Sequence, residues 1–418
     1  MTEHPPPFIR RSSTSSSFDP GGAASDEGTV SDPFLPVRRL PKGRLPAPPP
    51  GQGRIEGFAD IRLSVEQAEA SLEAAADRLS LPRSGWSSGR FDMLAISGGA
   101  AGGAYGAGAL VGLSEAGTRP EFALVTGVST GALIAPFAFL GSAWDERLAD
   151  AYVGGHAADL LSLRRLASSF TGGLFRGEAL DALIHPFVDE AMIDAVAAEH
   201  ARGRRLLVAT TDLDSQRACI WDMGAIASHG GERAVALFRE VLAASASLPG
   251  LFPPRRFPCT VEGEFDGETF EEMHVDGGVA APLFLMPEGL LRWNRLGRRL
   301  HRGRVHVLVN TVLEPEPRTT APNVAAVLTR SFDAMLRFSY RQALGVATTF
   351  CAAQGLSISV ASIPDVPDQG GMLSFDTVTM QRLFDAARER ARAGDLWRSP
   401  VAERQGLQGL LDRLRPRG

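Results

Sequence analysis

Hydrophobic and polar positions divide the chain into stretches of different grain. Residues 1–55 carry Pro, Ser and Gly without apolar periodicity, including the run Pro46-Ala47-Pro48-Pro49-Pro50 before Gly51, and they predict a disordered segment. Ile61, Val65, Ala68, Leu72 and Leu79 then recur at helical spacing, with Ser64 and Gln67 as a capping box, so 56–90 reads as an amphipathic helix and linker. Glu66, Glu69 and Glu73 on its polar face favour docking on a protein core over lying on a membrane. From 91 to 396 short apolar runs alternate with helical ones. Strands are predicted at 92–97, 122–128, 206–211, 273–275, 305–311 and 356–362, and helices at 108–116, 130–140 and 332–353. That alternation predicts one α/β domain over 91–396 on a mainly parallel sheet. Residues 397–418 read as a short helix, Leu407 to Leu414, and a basic tail.

Composition narrows the chemistry. The chain has 418 residues, is 44% hydrophobic and carries a net charge of -5, which suits a substantial core and gives no electrostatic reason to expect a nucleic-acid partner. Cys219, Cys259 and Cys351 are far apart and form no C-x-x-C, so neither a disulfide framework nor a thiolate zinc site is expected. The eight histidines contain no H-E-x-x-H pattern, and no metal is expected. Arg10 and Arg11 are followed by Phe18, Asp19 and Pro20 rather than by an apolar core, and no stretch approaches the roughly 18 apolar residues that span a bilayer. The expectation is a soluble, cytoplasmic protein with peripheral membrane contact; secretion without a cleavable signal stays open, and protein partners are unspecified.

Three motifs carry chemistry. Gly127-Val128-Ser129-Thr130-Gly131 is a G-x-S-x-G between an apolar run and a helical one, the context of a nucleophile elbow. Ser97-Gly98-Gly99-Ala100-Ala101-Gly102-Gly103 also lies between strand and helix and presents backbone amides to an anion. A dinucleotide loop would call for an acidic residue ending the next strand, but that strand runs into Ser129, which favours an oxyanion hole. Asp276-Gly277-Gly278 ends a short strand; alone it is an ordinary turn.

In this order the three motifs resemble those of the patatin-like phospholipases. The similarity covers most of 92–396 and extends to Thr210-Thr211-Asp212, Ile220-Trp221-Asp222 and the stretch from Ala244 to Pro254. The resemblance implies a three-layer α/β/α sandwich and a Ser–Asp dyad without histidine. It makes Ser129 the nucleophile, Asp276 the base and the amides of Gly98, Gly99 and Ala100 the oxyanion donors. It implies a lipid or acyl-ester substrate of phospholipase A or lysophospholipase type and no cofactor. Two positions depart from the family pattern. Ala100 stands where a third glycine is usual, and an intact hole is expected to require negative φ there. Gly102 stands where a cation is usual, which leaves a neutral esterase or lipase as one alternative; a catalytically inactive lipid-binding protein is another, favoured if the Ala100 loop cannot form the hole. His274, two residues before Asp276, is the rival base, read more readily as a packed strand histidine. The cluster Arg292, Arg295, Arg298, Arg299, Arg302 and Arg304 reads as a solvated face.

Overall fold

The structure is a computed structural model describing residues 53–63, 92–156, 177–260, 269–285, 303–314, 317, 319–364 and 375–400. Five strands form the parallel centre of the sheet: β3 (Asp92–Ile96), β4 (Leu124–Val128), β5 (Arg205–Asp212), β9 (Arg304–Val312) and β10 (Ser357–Ile363), in spatial order β5-β4-β3-β9-β10. Antiparallel strands extend it: β6 (Arg217–Asp222) and β8 (Thr269–Asp276) pair with β5, β7 (Arg255–Thr260) with β8, β1 (Arg54–Ile55) with β7 and β2 (Arg62–Leu63) with β6.

Both faces of the central strands are apolar because both are covered. Leu94 and Ile96 of β3 join one core with α1 (Gly103–Glu115), α2 (Thr130–Leu140), α5 (Glu190–Ala201), α7 (Gly231–Ser245) and α9 (Thr377–Ala393). Met93 and Ala95 face the opposite core, closed by Leu336, Tyr340, Ala347 and Phe350 of the long α8 (Val324–Gln354). The three-layer α/β/α reading is therefore correct. The remaining helices are α3 (Asp145–Val153), α4 (Gly177–Ile184) and α6 (Met223–Ser228). No helix among the described residues is long and apolar enough to cross a membrane.

Two boundaries are corrected. Gly53–Ile55, expected in the disordered segment, belong to the sheet: Ile55 is buried, β1 pairs with β7, and the Gly53 amide donates to Glu272 Oε1 at 2.8 Å. Ile61, expected to open a helix, is buried beside strand β2. The rest of that helix lies outside the described residues, as do residues 1–52 and the expected C-terminal helix. Arg304 forks onto Asp92, Nε to Oδ1 at 2.7 Å and Nη2 to Oδ2 at 3.0 Å; the other arginines of its cluster are not among the described residues.

Candidate active site

Strand register brings the two motif residues together. β4 pairs with β5 as far as Val128 opposite Ala209, and the next residue, Ser129, leaves the sheet. The other edge of β5 is occupied by β6 from Leu207 to Asp212. β8 therefore enters antiparallel on the edge that β4 vacates, setting Asp276 opposite Thr210. Ser129 and Asp276 thus end two strands that meet nearly head-on.

Ser129 has φ 57 and ψ -127, a conformation rare for a residue with a side chain, and such strain is on the order of 1–3 kcal/mol. Its neighbours hold it there. Its amide donates to Ser245 Oγ at 3.0 Å, and that hydroxyl donates to Ala209 O at 2.7 Å. The flanking Gly127 and Gly131 are not in left-handed backbone and serve close approach: a Cβ on Gly131 would lie 2.4 Å from Ile96 O and 2.5 Å from Ser97 O.

Asp276 is 2% exposed. Its amide donates to Ser247 O at 3.0 Å, its carbonyl accepts from Thr211 Oγ1 at 3.0 Å, and its Oδ1 accepts from the Gly278 amide at 2.7 Å. Burial pushes the carboxyl up to about 6, while the neighbouring Ser129 hydroxyl and the Gly278 amide restrain the rise. Oδ2 is buried and completes no hydrogen bond of full geometry. The Ser129 hydroxyl thus lies near enough to hold the carboxyl's pKa down, while no aligned hydrogen bond joins the two.

The glycine loop curves over Asn310, at the end of β9. Asn310 donates to Ser97 O at 2.9 Å and receives the peptide planes closely: a Cβ would lie 2.0 Å from its carbonyl oxygen at Gly99 and 2.1 Å at Gly102. A side chain at position 102 would therefore collide with Asn310, a steric reason for glycine there. The negative φ expected at Ala100 for an intact hole is not met, since its φ is 50; the loop keeps its amides unpaired among the described residues with the alanine in left-handed backbone, so the requirement itself is what falls. Left-handed backbone of this kind costs alanine roughly 1–2 kcal/mol. The turn is closed by the Gly102 amide donating to Gly99 O at 3.0 Å. Among the described residues the amides of Gly98, Gly99 and Ala100 donate no hydrogen bond, so they are free to meet an anion.

His274 is turned to other partners. Fully buried, it bonds Thr210 Oγ1 through Nδ1 at 2.8 Å and Glu272 Oε2 through Nε2 at 3.1 Å, and Arg62 Nη1 donates to the same Glu272 oxygen at 2.6 Å. Glu272 is held at about 2: burial opposes this, and His274, Arg62 and the Gly53 amide outweigh it.

An apolar pocket opens on Ser129 and Asp276, lined by Leu133, Leu180, Leu183, Leu248, Phe252 and Leu336 among others. Sequence reasoning quoted Ser245, Ser247 and Thr211 within motifs without giving them tasks. It missed Asn310 and the pocket face of α8, which lie far along the chain from any motif. Among the described residues no His, Cys, Asp and Glu cluster could hold a metal.

A family model described as patatin-like phospholipase matches residues 94–287. No curated protein sequence matches the chain. VipD from Legionella pneumophila is similar in structure at 11% identity and TM-score 0.29, over 71% of this chain and 67% of that one. Human GIVD cytosolic phospholipase A2 is similar at 14% identity and TM-score 0.40, over 82% of this chain and 64% of that one. Its complex with methyl gamma-linolenyl fluorophosphonate gives 13% identity and TM-score 0.34, over 83% and 64%. The chain thus spans just under two thirds of the human enzyme's length.

Proposed function

We propose that this chain cleaves lipid acyl esters through Ser129 and Asp276: residues 94–287 match the patatin-like phospholipase family model, and lipid acyl hydrolysis is the activity of that family. The observation that carries the proposal is the head-on meeting of β4 and β8, which sets a strained serine beside a buried carboxylate whose pKa is about 6. In the proposed reaction Asp276 accepts the Ser129 proton as Oγ attacks the ester carbon. The free amides of Gly98, Gly99 and Ala100 stabilise the oxyanion, and Asp276 returns the proton to the leaving alkoxide. Water activated by the same carboxylate then releases the acid from the acyl-enzyme.

The pocket's apolar lining suits an acyl chain, and the surface beside it suits a lipid aggregate. Val324, Val327, Leu328, Met335, Phe338 and Val346 are all exposed and form one stripe along α8, the helix that sends Phe332, Leu336 and Tyr340 into the pocket. Arg341 runs alongside that stripe, with Arg330 and Arg337, which pair with Asp333 at 3.2 and 3.3 Å. Apolar residues beside cations are the pattern of contact with an anionic phospholipid surface, so an acyl chain would pass from the aggregate into the pocket along one helix.

Fluorophosphonate labelling is expected to modify Ser129 in the folded protein and to be lost in Ser129→Ala. Fatty-acid release from phosphatidylcholine vesicles, compared with a soluble p-nitrophenyl ester, separates phospholipase from neutral esterase. An unlabelled, folded wild type would leave the inactive lipid-binding reading.

A further inference from the structure

We propose that the hydroxyl of Tyr340 is a side-chain donor to the oxyanion, standing with the loop amides around the ester oxygen. This rests on the hydrolase reading and adds to it a residue from α8, outside the matched domain. The chain has three tyrosines, all of them buried. Tyr152 exchanges hydrogen bonds with Thr130, to Oγ1 and to the carbonyl oxygen, both at 3.0 Å, and Tyr105 accepts from Arg390 at 2.9 Å. Tyr340, 2% exposed, makes no hydrogen bond among the described residues and lines the pocket. A buried phenol normally finds a partner; here its free side is the space where substrate would sit.

The position of that oxygen fits an oxyanion donor. A Cβ on Gly98 would lie 2.9 Å from the Tyr340 hydroxyl, 3.0 Å from Ser129 Cβ and 3.6 Å from Ser129 Oγ. Phenol, nucleophile and the first expected oxyanion residue therefore converge on one small volume. Burial, then the negative charge of Asp276, pushes the phenol upward from its ordinary range, so it stays protonated and donates a hydrogen bond rather than its proton. The step balances without it. The Oγ–C bond forms, the carbonyl π pair moves to oxygen and the serine proton moves to Asp276. On collapse the C=O re-forms, the C–O bond to the alkoxide breaks and the proton leaves Asp276 for the alkoxide. Tyr340 keeps its proton throughout and stabilises only the intermediate charge.

Tyr340→Phe removes one oxygen and no core volume. Rates per active site, with sites counted by the burst of p-nitrophenol, exclude any misfolded fraction. The expected result is a fall in kcat of roughly 10²-fold, the size reported for one oxyanion donor, with KM little changed. The factor should be equal for a p-nitrophenyl ester and an alkyl ester of the same acid, and phosphonylation by a fluorophosphonate should slow in parallel. A kcat within about threefold of wild type overturns the proposal, and so does a loss confined to the alkyl ester, which would make the phenol a leaving-group donor. Wild type that fails to label sinks the hydrolase reading itself; wild type and Tyr340→Phe labelling equally fast sinks only the role of Tyr340.

Discussion

At the scale of single residues, Ser129 and Asp276 each end a strand within a short motif, where local sequence carries the geometry. Ala100 was misjudged for the opposite reason. It lies between Gly99 and Gly102, which pack against Asn310, more than two hundred residues away. Tyr340 was invisible because nothing in the periodicity of a helix distinguishes a core tyrosine from one that faces a pocket. The buried Asp276 carboxyl carries a stability consequence. Its folded pKa of about 6 lies above the ordinary 3.8, so the folded state binds this proton more tightly. Stability from this group is full below about pH 4, declines as pH rises through about 6 and is flat above. Asp276→Asn removes the ionisable group, so at pH 8 it should be more stable than wild type by up to about 3 kcal/mol. The gain should vanish near pH 4. Thermal melting across pH checks both the sign and the window.

At the scale of elements, the parallel strands and α2 stood out as unbroken apolar runs, whereas β7 did not. Its inward positions are Arg255, Phe257 and Cys259, and the arginine breaks the alternation in sequence while pairing with Asp181 at 2.7 Å in the fold. The first eight residues of α8 were missed because Val324, Val327 and Leu328 face outward, against the rule that a helix buries its apolar stripe. α1 was started late because its opening turns are rich in glycine, a poor helix former. One of those glycine contacts is testable. Placing a cation at this position with Gly102→Arg should fail, since its Cβ would meet Asn310 O at 2.1 Å. The variant should melt earlier and lose most esterase activity; a stable, more active protein would mean that the loop is not fixed by Asn310.

At the scale of the whole molecule, the sheet's antiparallel extension ties the segment before the matched domain to the strand bearing Asp276. Gly53 and Arg62 both bond Glu272, and Glu272 bonds His274 two residues before Asp276. Sequence placed 53–55 outside the fold because two-residue strands leave no periodicity to read. Deletion of residues 1–50 should leave melting and soluble-ester hydrolysis unchanged. Deletion through residue 63 removes the cation facing a buried carboxylate, a loss on the order of 3–5 kcal/mol, and should destabilise the protein severely. Equal behaviour of the two truncations in a melting experiment would remove the structural role of this segment.

The central claim is that Asp276 activates Ser129, and the rate of fluorophosphonate labelling at Ser129 measured across pH in wild type and Asp276→Asn tests it most directly. Wild type should label tenfold faster per pH unit below about 6 and level off above, as the carboxyl ionises. Asp276→Asn should lose that limb and label roughly 10²–10⁴-fold more slowly at pH 8. An Asp276→Asn protein that is folded, labels within a few-fold of wild type and keeps the same limb would contradict the dyad and assign the base elsewhere.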